Sequence, residues 1–176
     1  MKTILLIGTG QMAIDYTKVL QSLNVELIIV GRGSESAKVF KEKTGIMPHT
    51  GGIDCFLSEN EICKGTIAII ATGIENLMTC MRQLLNRGIV KILVEKPAAI
   101  SIEELLENEK MIKPFENSVY VAYNRRFYAS VIEAQKLISE DGGLESMHFE
   151  FTEWAHTIEP LKKAVGVKQN WFFANS

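Results

Sequence analysis

A glycine-rich turn near the amino terminus constrains the fold of this chain more than any other feature. Residues 8–13 read Gly-Thr-Gly-Gln-Met-Ala, after an apolar run at 3–7 and before apolar residues at helical spacing over 12–23. A strand that enters a helix through a turn of this kind is typical of a βαβ unit, whose strand is buried in a parallel sheet. The segment therefore predicts an α/β fold.

The same alternation continues along the chain. Further apolar runs typical of buried strands lie at 25–30, 67–71, 90–94 and 119–123, and further helical patterns lie at 35–44, 75–86 and 102–112. Ser34 and Ser101 occupy the positions of helix N-caps, and Gly45 is placed to end the first of these helices. Strands alternating with helices predict a Rossmann-type, doubly wound parallel sheet.

The pattern changes after residue 124. An amphipathic helix is expected at 128–138, and 144–154 alternates between apolar and polar residues, with Met147, Phe149 and Phe151 on one face. A period of two with one apolar face is typical of an antiparallel strand, and we expect this face to pack on helix 128–138. The sequence thus predicts a dinucleotide-binding Rossmann domain at 1–124. Residues 125–176 are interpreted as the truncated beginning of an α+β, antiparallel-sheet domain.

Composition excludes several classes of protein. The chain is 47% hydrophobic with a net charge of −2, which argues against disorder and against a basic surface for nucleic acid. No apolar stretch approaches the ~18 residues of a membrane span. The three cysteines form no CxxC pair and the three histidines lie far apart, so we expect reduced thiols, a cytoplasmic location and no metal.

The glycine-rich segment fits the pattern GxGxxG/A of dinucleotide-binding turns. Gly8 permits the tight turn, Gly10 lets a pyrophosphate approach the backbone, and Ala13 allows close packing of helix on strand. The candidate cofactor contacts are Gly8, Thr9, Gly10, Gln11 and Met12. The alternative interpretation is a tight strand–helix turn without a ligand.

The end of the second strand bears on the choice of cofactor. NAD enzymes usually place an acid there for the ribose 2′-hydroxyl, whereas this sequence reads Val-Gly-Arg-Gly-Ser over 30–34. Arg32 can pair with a 2′-phosphate and Ser34 can add a hydroxyl. These residues favour NADP(H), with NAD(H) as the second choice. A polar turn with a solvated arginine is the structural alternative.

Two other strand ends carry candidate site residues. Glu95 and Lys96 follow the fourth strand, in the crevice where open α/β sheets bind ligands. Lys96, beside a nicotinamide, suits proton exchange with a substrate hydroxyl and is the candidate catalytic residue. Asn124 and Arg125 follow the fifth strand and are candidate cofactor contacts. Each of these segments could also be the start of an ordinary loop or helix.

Together these segments resemble the Gfo/Idh/MocA oxidoreductases, which include glucose–fructose oxidoreductase and inositol dehydrogenase. The resemblance rests on Gly8, Gly10 and Ala13, on Ala71-Thr72 at a strand end, on Glu95-Lys96-Pro97, and on Asn124-Arg125-Arg126-Phe127. It implies that Ala71 and Thr72 contact the cofactor, that Lys96 is the catalytic lysine, and that the peptide before Pro97 is cis. It also implies a second, antiparallel-sheet domain with substrate and oligomer contacts.

The chain departs from the family pattern in two respects. Members usually continue Ala-Thr with Pro-Asn and a nearby His, where this chain has Gly73-Ile74-Glu75-Asn76-Leu77. Members are also roughly twice as long, as expected of a two-domain enzyme.

The sequence leaves two functions open: an NAD(P)-dependent oxidoreductase acting on a CH–OH group of a sugar or cyclitol, or a catalytically silent dinucleotide-binding module. The expected partners are a small sugar or polyol and, through the carboxyl-terminal sheet, further copies of the chain.

Overall fold

Five parallel strands form one sheet. They are β1 (Lys2–Ile7), β2 (Val25–Val30), β3 (Ile67–Ile70), β4 (Lys91–Val94) and β5 (Val119–Val121), in the spatial order β2-β1-β3-β4-β5. The structure is a computed structural model and describes residues 2–150 and 152–171. β1 lies inside the sheet, where Leu5 pairs with Ile28 of β2 on one side and with Ala68 of β3 on the other.

Helices cover both faces of this sheet. They are α1 (Gln11–Gln21), α2 (Ser34–Thr44), α3 (Gly52–Glu59), α4 (Ile74–Asn86), α5 (Ile102–Ile112), α6 (Ala129–Glu140) and α7 (Ala155–Ile158), with short 3-10 helices at Lys113–Phe115 and Asn124–Phe127. Leu5 packs in an apolar cluster with Leu77 and Met81 of α4, whereas Leu6 packs with Ala13 of α1 and Phe40 of α2. Successive residues of β1 therefore face opposite cores, which confirms the predicted doubly wound sheet.

The amino-terminal elements match the sequence interpretation closely, with two corrections. Helix α3 was not predicted, because its eight residues begin at Gly52, inside a stretch from Pro48 to Gly52 that reads as a loop. Ser34 is the first residue of α2 and not its N-cap, since Gly33 holds that position and no side chain caps the helix. Ser101 is the N-cap of α5, and its side chain accepts a hydrogen bond from the Glu104 N–H.

The prediction of a strand at 144–154 is wrong for the residues that the structure describes. Residues 144–150 and 152–154 adopt no strand, and the side chains of Met147 and Phe149 are 76% and 75% exposed instead of packed on α6. Phe151 lies outside the described residues, as do 172–176 of the predicted second domain. An isolated strand is unstable without a hydrogen-bonded neighbour, and the described residues provide none beyond β5.

Among residues 2–150 and 152–171, no helix is both long enough and apolar enough to cross a bilayer.

Candidate functional site

A cavity of about 870 Å³ lies at the carboxyl ends of β1, β2, β3 and β4. Because these strands are parallel, the loops that follow them meet at one edge of the sheet. Ten of the thirteen predicted site residues line this cavity: Gly8, Thr9, Gly10, Gln11, Met12, Arg32, Ala71, Thr72, Glu95 and Lys96. The other three, Ser34, Asn124 and Arg125, are not among the described residues that line it.

Gly8 brings the ends of β1, β2 and β3 together. Its N–H donates to the Val30 carbonyl oxygen at 2.8 Å, and its φ is +130°. A Cβ atom at this position would lie 2.2 Å from the Ala71 carbonyl oxygen. The close approach of the strand ends therefore requires glycine, both sterically and conformationally.

The amino terminus of α1 faces the same cavity. Gly10 is the N-cap of α1, and no side chain hydrogen-bonds to the first amides of the helix. A Cβ on Gly10 would meet nothing within 4 Å. Unpaired amides and the positive end of an 11-residue helix favour an anionic group in this open space.

Arg32 lies beside a segment that extends the edge of β2. Gly51 N–H donates to the Arg32 carbonyl oxygen at 3.1 Å, and Gly52 N–H donates to the Gly31 carbonyl oxygen at 2.8 Å. A Cβ on Gly52 would lie 3.3 Å from Cγ of Arg32, so the arginine side chain crosses the beginning of α3. Ser36 lines the cavity in place of Ser34, and Thr9 Oγ1 donates to its hydroxyl at 3.1 Å.

Helices α3 and α4 form a wall of the cavity that the sequence analysis missed. Gln83 Nε2 donates to Asp54 Oδ1 at 2.6 Å, and Cys80 lies nearby. Burial raises the pKa of the Cys80 thiol to about 11, against the opposing effects of a Thr72 hydrogen bond and the Arg32 charge. The helical pattern of 75–86 predicted α4 itself. Only the position of α3 shows which face of α4 lines the cavity.

Lys96 lies where β4 turns away from the sheet. The Lys96–Pro97 peptide is cis, as the family resemblance implied, and Ala98 has a φ of +76°. Burial, followed by the nearby Arg125 guanidinium, lowers the pKa of Lys96, while Glu95 and Glu153 act in the opposite direction. Arg125 therefore affects Lys96 electrostatically although it does not line the cavity.

Glu95 is held by a residue that the sequence analysis did not select. Tyr16 Oη, on α1, donates a hydrogen bond of 2.7 Å to Glu95 Oε1. Burial, together with this contact, raises the pKa of Tyr16. The contact joins the glycine-rich end of the site to the strand end that carries Lys96.

The cavity carries groups that can bind an organic anion. In residues 2–150 and 152–171 no group of three or more His, Cys, Asp or Glu side chains is arranged to hold a metal. The cavity instead combines free helix amides, glycines and the cations Arg32 and Lys96.

Most of the chain matches a known protein family. Residues 2–123 match the model of the GFO_IDH_MocA family, described as an oxidoreductase family with an NAD-binding Rossmann fold. The chain belongs to this family. The resemblance found in the sequence is thereby confirmed, and the chain is a family member with an NAD-binding fold.

Solved structures show the same fold. A myo-inositol dehydrogenase from Corynebacterium glutamicum is 20% identical, with a TM-score of 0.67 over 81% of this chain and 42% of that one. Scyllo-inositol dehydrogenase from Lactobacillus casei, bound to NAD(H) and scyllo-inositol, is 17% identical, with a TM-score of 0.67 over 80% and 42%. WlbA dehydrogenase from Chromobacterium violaceum, bound to NADH and UDP-GlcNAcA, is 21% identical, with a TM-score of 0.66 over 80% and 40%.

These structures are much longer than the present chain. It spans 40–42% of the length of these three chains. No curated protein matches the sequence.

Proposed function

We propose that the chain binds NADP(H) and serves hydride transfer to or from a hydroxyl-bearing carbon of a sugar or cyclitol. The observation that carries this proposal is that a single cavity collects the glycine-rich turn, Arg32 and Lys96. Two of the solved structures named above contain a nicotinamide dinucleotide, one together with a cyclitol and the other together with a nucleotide sugar. NAD(H) is the second choice of cofactor.

The residues present fit a dinucleotide along the length of the cavity. The free amides at the start of α1 and the open space beside Gly10 suit the pyrophosphate. Arg32 lies at the adenosine end, where its guanidinium suits a 2′-phosphate. Thr9, Gln11, Met12, Ala71, Thr72 and Glu95 complete the proposed contacts along the cavity.

Lys96 is the proposed proton-transfer residue. A bound nicotinamide would accept hydride from the substrate carbon as the hydroxyl is oxidised. The neutral Lys96 amine takes the hydroxyl proton in that direction, and the ammonium returns it in the other. The lowered pKa of Lys96 makes the neutral amine more accessible than in a solvated lysine.

The remaining predicted residues enter this proposal less directly. The charge of Arg125 lowers the pKa of Lys96. Asn124 is the first residue of the 3-10 helix that contains Arg125. Ser34 starts α2 next to Gly33, a cavity residue. We further infer a boundary after residue 124, with the Rossmann domain before it and the beginning of a substrate domain after it.

The cofactor proposal is tested by calorimetric titration with NADPH and NADH. The unmodified chain should bind NADPH more tightly, and Arg32→Ala should remove most of the preference, a loss of about tenfold to a hundredfold in NADPH affinity. Arg87→Ala, an exposed arginine at the end of α4, is the control and should leave both affinities unchanged. Equal affinities for the two cofactors in the unmodified chain would contradict the NADP(H) assignment.

A separate test distinguishes an enzyme from a silent cofactor-binding module. The chain is assayed for reduction of NADP⁺ with a panel of polyols and for oxidation of NADPH with keto-sugars. If it turns over, Lys96→Met should lower kcat by roughly a hundredfold or more with little change in cofactor affinity. Lys91→Met, at the opposite end of β4, is the matched control. Cofactor binding without turnover on any substrate would favour the module.

A further inference from the structure

The contact between Tyr16 and Glu95 controls a side chain directly beside Lys96. Tyr16 Oη lies 2.7 Å from Glu95 Oε1, and the two residues are 79 positions apart in the sequence. Both are partly buried. The hydrogen bond therefore determines where a charged carboxylate points at the edge of the cavity.

The backbone of Glu95 is fixed independently of its side chain. Its N–H donates to the Ile70 carbonyl oxygen at 2.9 Å, and its carbonyl oxygen accepts from the Ala98 N–H at 3.0 Å. Only rotation of the side chain can change the position of the carboxylate. Its partner Tyr16 thus decides that position.

A carboxylate released by Tyr16 would have a strong alternative partner. Lys96 is the next residue, yet none of the ion pairs found among the described residues joins it to Glu95. The other charged groups that act on Lys96 are Arg125, which repels it, and Glu153, which attracts it. At a partly buried site, a direct ion pair between Glu95 and Lys96 would be favoured over solvation of either charge.

We propose that Tyr16 is a positioning residue that holds the Glu95 carboxylate away from Lys96, so that the Lys96 amine remains unpaired and available to a ligand in the cavity. This inference deepens the proposed function, because it rests on Lys96 as the group that exchanges a proton. Tyr16 itself lies outside the cavity lining and acts only through Glu95. Its role is to prevent an ion pair that would keep Lys96 protonated.

The test measures the ionisation of Lys96 in the chain without any cofactor. The rate of Lys96 acetylation by acetic anhydride is followed against pH, with peptide mass spectrometry to read this lysine alone. In Tyr16→Phe the apparent pKa of Lys96 should rise by about one unit, the effect of an opposite charge moving into contact. In Tyr16→Phe combined with Glu95→Gln the rise should disappear, because no carboxylate remains to pair.

The single variant Glu95→Gln gives an independent reading if Tyr16→Phe does not fold. A carboxylate held at a distance contributes little, so the pKa of Lys96 should fall by less than about half a unit. A fall of about one unit or more would show that Glu95 already pairs with Lys96 and would overturn the proposal.

Matched controls separate this effect from the general loss of a hydrogen bond. Tyr120→Phe removes a hydroxyl that donates to the Asn117 carbonyl oxygen at 2.8 Å, and Glu26→Gln alters a carboxylate that accepts from Thr3 at 2.7 Å. Neither should move the pKa of Lys96.

An unchanged or lowered pKa of Lys96 in a folded Tyr16→Phe variant refutes the inference, whatever the outcome of the NADPH titration. A chain that binds no NADPH can still show the shift, so the two proposals fail separately.

Discussion

Gly8 and Gly10 belong to the same glycine-rich turn but have different physical roles. A side chain at position 8 would collide with the Ala71 carbonyl oxygen. The backbone there also has a φ of +130°, which residues other than glycine rarely adopt. Gly10 has an ordinary extended backbone, with open space where its side chain would be. The fold therefore requires glycine at position 8, whereas glycine at position 10 leaves room for a ligand.

This difference predicts opposite outcomes for two alanine substitutions. Gly8→Ala should lower the free energy of unfolding by about 3 kcal/mol or more, through steric overlap and backbone strain. Gly10→Ala should lower it by less than about 1 kcal/mol, the usual range for losing glycine at an N-cap. It should nevertheless weaken NADPH binding, since its methyl group enters the proposed pyrophosphate site. Urea unfolding and calorimetry measure the two effects, and similar stabilities for both variants would contradict this interpretation.

Residue patterns predicted one half of the candidate site and missed the other. Gly8, Arg32 and Lys96 follow strands, so parallel topology alone places them at one edge of the sheet. Asp54 and Gln83 lie on helices whose relative position depends on packing, and no local pattern encodes it. The same holds for Tyr16, whose partner is distant in the sequence.

At the scale of elements, the two helices with serine at their start differ in how they are capped. Ser101 Oγ accepts from the Glu104 N–H at 3.3 Å, and Glu104 Oε2 in turn accepts from the Ile100 N–H at 2.7 Å. Helix α2 instead begins after Gly33 without a capping side chain. The hydroxyl of Ser101 thus satisfies an amide that would otherwise lack a partner.

Replacing the two serines should therefore have unequal effects. Ser101→Ala should reduce the free energy of unfolding by about 1 kcal/mol, the typical loss for an N-cap side chain. Ser34→Ala, in the first turn of α2, should reduce it by clearly less, and it serves as the control. Urea unfolding monitored by circular dichroism measures both. Equal losses would show that the cap of α5 contributes nothing beyond an ordinary serine.

Element boundaries were predictable where periodicity and burial agree. The segments at 25–30 and 102–112 match β2 and α5 at both ends, and the segment at 35–44 matches α2 at its carboxyl end. The segment at 144–154 failed because alternation describes a strand's faces but not its hydrogen-bonding neighbours. Helix α3 was missed because its short sequence follows strong turn residues.

At the scale of the molecule, apolar side chains are distributed unevenly over the surface. The sheet and its helices also expose some large apolar residues, such as Val19 and Leu106, but exposed ones are denser along the chain after β5. They include Phe127, Tyr128, Ile132, Leu137, Leu144, Met147, Phe149, Trp154 and Val165. A concentration of exposed apolar residues on one part of a protein is typical of an interaction surface.

We therefore expect the chain to self-associate through a surface centred on residues 144–173. Its mass measured by light scattering should rise with concentration, and replacing Met147 and Trp154 together with serine should reduce the rise. Val19→Ser, on α1, is the matched control because Val19 is 63% exposed but lies within the Rossmann fold. A constant monomer mass at all concentrations would contradict the expectation.

The interior position of β1 also affects how the protein can be synthesised. β1 leaves the ribosome first, and β2 can pair with one of its edges as soon as residue 30 has emerged. Its other edge pairs with β3. The backbone N–H and C=O groups on that edge therefore lack hydrogen-bond partners in the sheet until residues 67–70 have emerged. During that interval the nascent chain carries an unpaired strand edge in the most apolar part of the future sheet. Early contact with a chaperone would protect that edge during this interval.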